Sequence, residues 1–319
     1  MTVMEMLDLG LAALVLTIAV WTIAAREAFA AALGYVAYGL LLALVWVRLF
    51  ALDVALTEAA IGSGVTGVLL ITAAVRLRRT DRSDPAELPG AAVRGAAAVL
   101  CLIVTAGLAA VMLTLGDSEA TLAPDAARHL QSTGLGNPIT AVLMAFRALD
   151  TMLEKVVLIM AVVGVWSLAR DRAWGGVAEM WARPDQNKAL SFLAQLLPPI
   201  GIVVAIHVAW VGANEPGGAF QGGALLAAMA MIVMMAGLAE APAVSRRWLR
   251  IVIVAGPATF LLAGVLGFAV AAGFLAYPAS FAKALILFIE AFMVLSIAAT
   301  LPLLVIGPPN RPLADRGTP

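Results

Sequence analysis

Residues 137–169 read NPITAVLMAFRALDTMLEKVVLIMAVVGVWSLA, and this stretch decides the fold. It is long and apolar enough to cross a membrane, yet it carries Arg147, Asp150, Glu154 and Lys155. Each such charge costs about 2.5 to 3.5 kcal/mol at the middle of a lipid-facing helix, so four unpaired ones come to roughly 10 to 14 kcal/mol, enough to block insertion. The charges must therefore sit in protein or water.

Helical spacing shows how they are satisfied. Arg147 and Asp150 are i,i+3 and Asp150 and Glu154 are i,i+4, so Arg147, Asp150 and Glu154 share a face, with Lys155 beside it. Two geometries are open. As one helix the stretch would be about 50 Å long, well beyond a hydrocarbon core of roughly 30 Å. Alternatively Thr151 and Glu154, spaced as a capping box, start the spanning helix after an amphipathic surface piece. A break would put Asp150 and Glu154 at a helix N-terminus, where the dipole favours negative charge.

Outward from this stretch the composition gives the class. The chain is 63% hydrophobic and 13% charged over 319 residues, with mean hydropathy +1.00, which makes it an all-α polytopic membrane protein. A water-soluble core is excluded. One cysteine, Cys101, allows neither an intrachain disulfide nor a thiolate-ligated cluster, and two histidines form no His-rich metal site, so no metal or cofactor is expected. A formal charge of zero points to neither nucleic acid nor an anionic substrate. The first apolar run has acidic residues, Glu5 and Asp8, at its start and reads as a retained span, not a signal peptide.

Hydropathy predicts nine spans, at 7–25, 28–50, 52–75, 95–115, 137–169, 189–211, 218–238, 249–273 and 279–306. Polar linkers at 76–94 and 170–188 divide them into modules at 1–80, 81–185 and 186–319. Lys and Arg test this layout. Fifteen of 20 fall on one side: Arg26; Arg76, Arg78, Arg79, Arg82 and Arg94; Arg170, Arg172, Arg183 and Lys188; Arg246, Arg247 and Arg250; Arg311 and Arg316. Arg48 and Arg128 fall on the other, and Arg147, Lys155 and Lys283 within spans. The positive-inside rule then puts the N-terminus outside and the C-terminus in the cytoplasm.

Other polar groups fall inside spans. Asp53 stands near the outer boundary of the third span, where it can serve as a helix-start residue, and Glu58 lies about 9 Å deeper, where a carboxyl group needs a partner or a proton. In the last span Lys283 and Glu290 share a face about 10 Å apart, too far for an ion pair. Each then needs a partner on another helix, although Lys283 can also snorkel outward; Glu290 is the better candidate for proton handling. His207 reads equally as an interface histidine or a proton relay. NEPGGAFQGGALLAA (214–228) combines a proline and four glycines at the start of a helix. It is a tight turn with close packing, or backbone lining a cavity, and is no nucleotide-binding fingerprint.

Three motifs carry a resemblance. LDVALTEAAIGSG (52–64) resembles a hydrophobic module near the C-terminal part of the A subunit of Mrp-type multisubunit Na⁺/H⁺ antiporters, which is a separate subunit in energy-converting membrane-bound hydrogenases. The region 134–165, with FRALDTMLEKVVL, resembles the segment that follows it, whose pattern is close to aromatic-Arg-x-x-Asp-Thr-x-x-Glu. NEPGGAFQGG (214–223) resembles the P-G-G-G-F-Q-G-G signature of the antiporter B subunit. The resemblance implies a fused antiporter subunit in a prokaryotic cytoplasmic membrane, with other membrane subunits as partners and no catalysis of its own. It matches Asp53, Glu58, Arg147, Asp150, Glu154, Pro216, Gly217, Gly218, Phe220, Gln221, Gly222 and Gly223 to family motifs. Ala219 replaces a usual Gly, Ala148 and Leu153 stand where Gly is common, and Lys155 adds a charge. Together with Lys155, Lys283, Glu290 and His207, the charged positions of that set are the expected lateral path for H⁺ or Na⁺, driven mainly from partner subunits. A structural subunit of a hydrogenase-like membrane arm is the alternative.

Overall fold

A computed structural model describes residues 2–80, 90–115, 121–178 and 188–312. Arg82, Arg183 and Arg316 of the charge tally, and parts of both polar linkers, lie outside the described residues. The described residues are helical, mostly α with short π and 3-10 segments, apart from connecting turns and one antiparallel bridge between Val177 and Arg311. The helices are α1 (Val3–Ala24), α2 (Ala28–Arg48), α3 (Leu52–Thr57), α4 (Thr66–Thr80), α5 (Ala91–Thr114), α6 (Ala123–His129), α7 (Pro138–Ala141), α8 (Ala148–Ser167), α9 (Lys188–Val211), α10 (Ala219–Met235), α11 (Arg247–Val270) and α12 (Ala282–Ile306).

Seven candidate membrane spans are long and apolar enough to cross a membrane among the described residues. Against the nine expected, α10 has 17 residues, and α8 keeps Asp150, Glu154 and Lys155 within 20. α10 is apolar but short, and α8 carries charges, of which Lys155 is buried in protein.

The third span is interrupted. Between α3 and α4, Glu58–Val65 forms a π-helix, EAAIGSGV, in which Gly62 and Gly64 tolerate the extra residue per turn. A side chain on Gly39 of α2 would stand 3.1 Å from Glu58 Oε1, so the small residues here make room for a carboxylate. The charged fifth span is also broken, as the capping alternative requires, but at Arg147. Asn137 caps α7 by accepting the Ile139 N–H, Val142–Phe146 is a second π-helical turn, and Arg147 leaves the helical region at φ −125°, ψ 35° before α8 begins. The capping box is absent, because Thr151 Oγ1 turns back to donate to Leu143 O at 2.6 Å.

Two helix groups pack together. α1, α2, α3, the first π-helix and α4 form one, and Arg48 of α2 ties back to Asp8 of α1 at 2.7 Å. The second centres on α12, which packs on α8, α9, α10 and α11 and buries Ile286, Ile289, Met293 and Ile297. Small residues let the backbones close: Gly222 lies against α9 at Ala205 and Ala209, and Gly223 against Ile297 of α12. The two groups meet where Ala60, Ile61 and Val65 pack on Ala224, Ala227, Ile297 and Leu301. No residue of α1 or α5 is buried.

Gly223→Val should therefore destabilise the fold by about 1–3 kcal/mol through overpacking at α12. Gly164→Ala, with open space at its Cβ position, should stay within about 0.5 kcal/mol. Thermal unfolding in detergent measures both, and equal midpoints for the two variants would contradict this packing.

Candidate functional site

A cavity of about 440 Å³ opens where α3, α7, α8, α10 and α12 converge. Asp53 and Thr57 line it from α3, Thr151, Glu154 and Lys155 from α8, Gly217 to Gln221 from the loop and start of α10, and Glu290 from α12. Residues more than 230 positions apart in sequence thus share one polar space inside an apolar chain.

The loop before α10 builds one wall. Gly217 and Gly218 have φ of +147° and +133°, values that L side chains rarely adopt, and Gly218 N–H donates back to Val208 O at 3.1 Å. This fold points the Gly217 N–H at Asp53, whose Oδ1 accepts it at 2.8 Å. Gln221 Nε2 donates to Thr57 Oγ1 at 3.0 Å and to Asp53 O at 3.4 Å. Asp53 is therefore more than a helix-start residue: it receives the glycine loop across the interface between the helix groups. The turn-and-packing and cavity-lining readings of the loop both hold, at different glycines.

Two ionisable groups are deeply enclosed. Lys155 is 5% exposed, with Nζ 4.2 Å from the centroid of the Phe220 ring, a cation–π contact worth about 2 kcal/mol when desolvated. Glu290 is also 5% exposed; the Ala219 N–H donates to its carboxylate, while Oε2 has no hydrogen-bond partner. A buried polar atom left so costs about 1–3 kcal/mol. Glu154 borders the same cavity but is exposed on the isolated chain. Among the described residues, neither Lys155, Glu154 nor Glu290 closes an ion pair.

The other expected positions lie elsewhere. Arg147 pairs with Asp150 at 2.5 Å, and the two side chains are 72% and 48% exposed. Glu58 faces Gly39 and Gly62, away from the cavity lining and near the buried, unpartnered Ser63 Oγ. Lys283 donates to Asn214 Oδ1 at 2.8 Å and borders a separate recess with Thr133 and Gly134. His207 is exposed on α9. Two further contributors emerge only from the folded chain. Asn137 Nδ2 donates to Glu215 O at 3.0 Å, and Thr140 Oγ1 to Gly212 O at 2.6 Å, so both brace the glycine loop. Their sequence signal is the Asn-Pro dipeptide at 137–138, a helix start whose cap also has a free amide. Among the described residues no cluster of His, Cys, Asp and Glu could hold a metal ion.

Asp53→Ala should cost about 1–3 kcal/mol by leaving the buried Gly217 N–H unsatisfied, with Asp53→Asn recovering part of it. Calorimetry of the purified complex would show the order wild type, Asn, Ala; an Ala variant as stable as wild type would remove Asp53 from this role.

Residues 13–79 match the MbhD family model, which describes one of the subunits of MBH, and residues 189–307 match the domain related to the MnhB subunit of Na⁺/H⁺ antiporter. The fold is similar to a chain in the structure of the Mrp complex from Dietzia sp. DQ12-45-1b, with TM-score 0.74 and 24% identity, covering 96% of this chain and 35% of that one. It is also similar to a chain of the membrane-bound sulfane sulfur reductase, an archaeal respiratory membrane complex, with TM-score 0.56 and 23% identity, covering 66% of this chain and 96% of that one. This chain thus spans about a third of the length of its Mrp-complex counterpart. Comparison with curated proteins gives no match. The chain thus joins, in one polypeptide, a segment that matches the MbhD model and a segment that matches the MnhB-related domain.

Proposed function

We propose that the chain is a membrane subunit of an Mrp-type cation/proton antiporter, and that the cavity between α3, α8, α10 and α12 is one station on a lateral path for H⁺ or Na⁺. The observation that carries this is the state of Lys155 and Glu290: both are buried at one cavity and neither is locked in an ion pair. Groups that only pin helices together are better satisfied when paired, as Arg48 and Asp8 are. Unpaired groups around a polar space can accept and release a mobile cation.

In this reading Glu154, exposed on the isolated chain, is the exit from the cavity toward a partner subunit, and Arg147 with Asp150 lies on the same approach. Glu58 is a second station, within the first module, and Asp53, Lys283 and His207 flank the route. The modules are 1–80, 81–185 and 186–319, crossing nine times once α8 and α10 are included. The N-terminus lies outside and the C-terminus in the cytoplasm of a prokaryotic cell, on the side that receives 15 of 20 basic residues. The chain performs no covalent chemistry and takes neither cofactor nor nucleic acid; its partners are lipid and other membrane subunits. A membrane arm of a hydrogenase-like complex is less favoured, because the sulfane sulfur reductase likeness covers 66% of the chain against 96% for the Mrp complex.

In inverted membrane vesicles containing the whole complex, Glu290→Gln and Lys155→Met should each reduce cation-driven ΔpH collapse to background while the complex still assembles. Glu290→Asp should retain assembly and part of the flux. If no carboxylate variant among Glu58→Ala, Asp150→Ala, Glu154→Ala and Glu290→Ala loses exchange in an assembled complex, the ion-path reading fails.

A further inference from the structure

A second cavity, of about 500 Å³, lies on the other side of α10 and belongs to no ion path. Pro198 of α9, Leu226 and Met234 of α10, and Leu295 and Ile306 of α12 bound it, with Trp248 at the start of α11 on its rim. Leu295 and Trp248 are 50% and 51% exposed, so the space is a groove open on the surface of the helix bundle.

Its dimensions and ends are those of one leaflet. From Leu295 to Ile306 it follows α12 for 11 residues, about 16 Å at 1.5 Å per residue and close to half of a hydrocarbon core of roughly 30 Å. One end stops in the apolar middle of the helices. The other reaches Trp248, a residue favoured at the membrane–water boundary, and Glu240. That end is basic. Arg246 and Arg247 immediately precede Trp248, both exposed and without an ion pair among the described residues, and Arg311 reaches Glu240 only at 4.0 Å. Backbone bonds gather these pieces at one level: Val177 N–H donates to Arg311 O at 3.0 Å, and Val244 N–H to Gly176 O at 2.9 Å.

We propose that this groove holds an acyl chain of an anionic phospholipid, with its phosphate over Arg246 and Arg247. A partner helix would need a seam running the whole membrane thickness, whereas this groove ends midway and is polar at one end, as an amphiphile requires. The two exposed arginines that precede Trp248 select the negatively charged headgroup, at about 1 kcal/mol for each arginine near the surface.

The test uses the assembled complex in nanodiscs of phosphatidylcholine doped with brominated phosphatidylglycerol or brominated phosphatidylcholine. Trp248 is isolated by subtracting the fluorescence of the Trp248→Phe complex. Brominated phosphatidylglycerol should quench Trp248 more strongly at equal fraction, and Arg246→Gln and Arg247→Gln should each lower that preference about fivefold. Ala299→Phe, which fills the groove, should remove the preference and one phosphatidylglycerol per complex by lipid mass spectrometry. Equal quenching by both lipids in the wild-type complex overturns the proposal. So does efficient cross-linking of Ala299→Cys to a partner subunit, which would identify a protein occupant. Ion exchange is not the readout, so this result and the ion-path result stand or fall separately.

Discussion

The hydrogen bond from the Gly217 N–H to the Asp53 carboxylate, 2.8 Å long, is the contact on which the centre of the molecule depends. It spans 164 positions of sequence and crosses between the two helix groups. The buried Gly217 N–H would be costly alone, and the half-buried Asp53 carboxylate also accepts from Asn137 Nδ2 at 3.4 Å. The strained glycine conformation, the brace from Asn137 and Thr140, and the reach of Gln221 all serve to present that N–H. The cavity exists because the loop is held this way. Gly218 brings the loop close to Glu290, where a Cβ would stand 3.6 Å from its Oε1.

The chain handles its charges in two ways. Near helix ends they are paired and partly wet, as with Arg48 and Asp8 or Arg147 and Asp150, and such pairs contribute little stability. Between α8 and α12 they are buried and kept apart. Lys155 rests on an aromatic face and Glu290 on a single backbone N–H, leaving each with interactions to spare. This second arrangement costs more than an apolar replacement of the same shape would, which makes it an expensive way to pack helices.

Much of this is legible in the sequence. Hydropathy identifies the helical membrane class, and the motif loop at 214–223 stands out because glycine and proline at a helix start have few structural uses. Helical spacing also brings Arg147 and Asp150 together correctly. What local pattern does not supply is the pairing of distant elements. Asp53 looks like a helix-start residue because its real partner is a backbone N–H, which leaves no signature in side-chain sequence. The break in the charged span falls at Arg147 and not Thr151, since the Thr151 hydroxyl satisfies a carbonyl freed by a π-helical turn that periodicity does not register. Glu58 and Lys283 lie within two turns of cavity residues along their helices but face other neighbours, and rotation about a helix axis is set by packing, not by spacing alone.

The cavity draws its walls from positions 53–57, 139–155, 217–221 and 290–293. If these segments were separate polypeptides, each assembly would first have to collect them in equal number from the bilayer. As one continuous chain they arrive in fixed one-to-one stoichiometry, and each meets the others at an effective concentration in the millimolar range set by the linkers. A contact as modest as one hydrogen bond and a patch of alanines can then close the site, because the entropy of bringing the parts together has been met at translation.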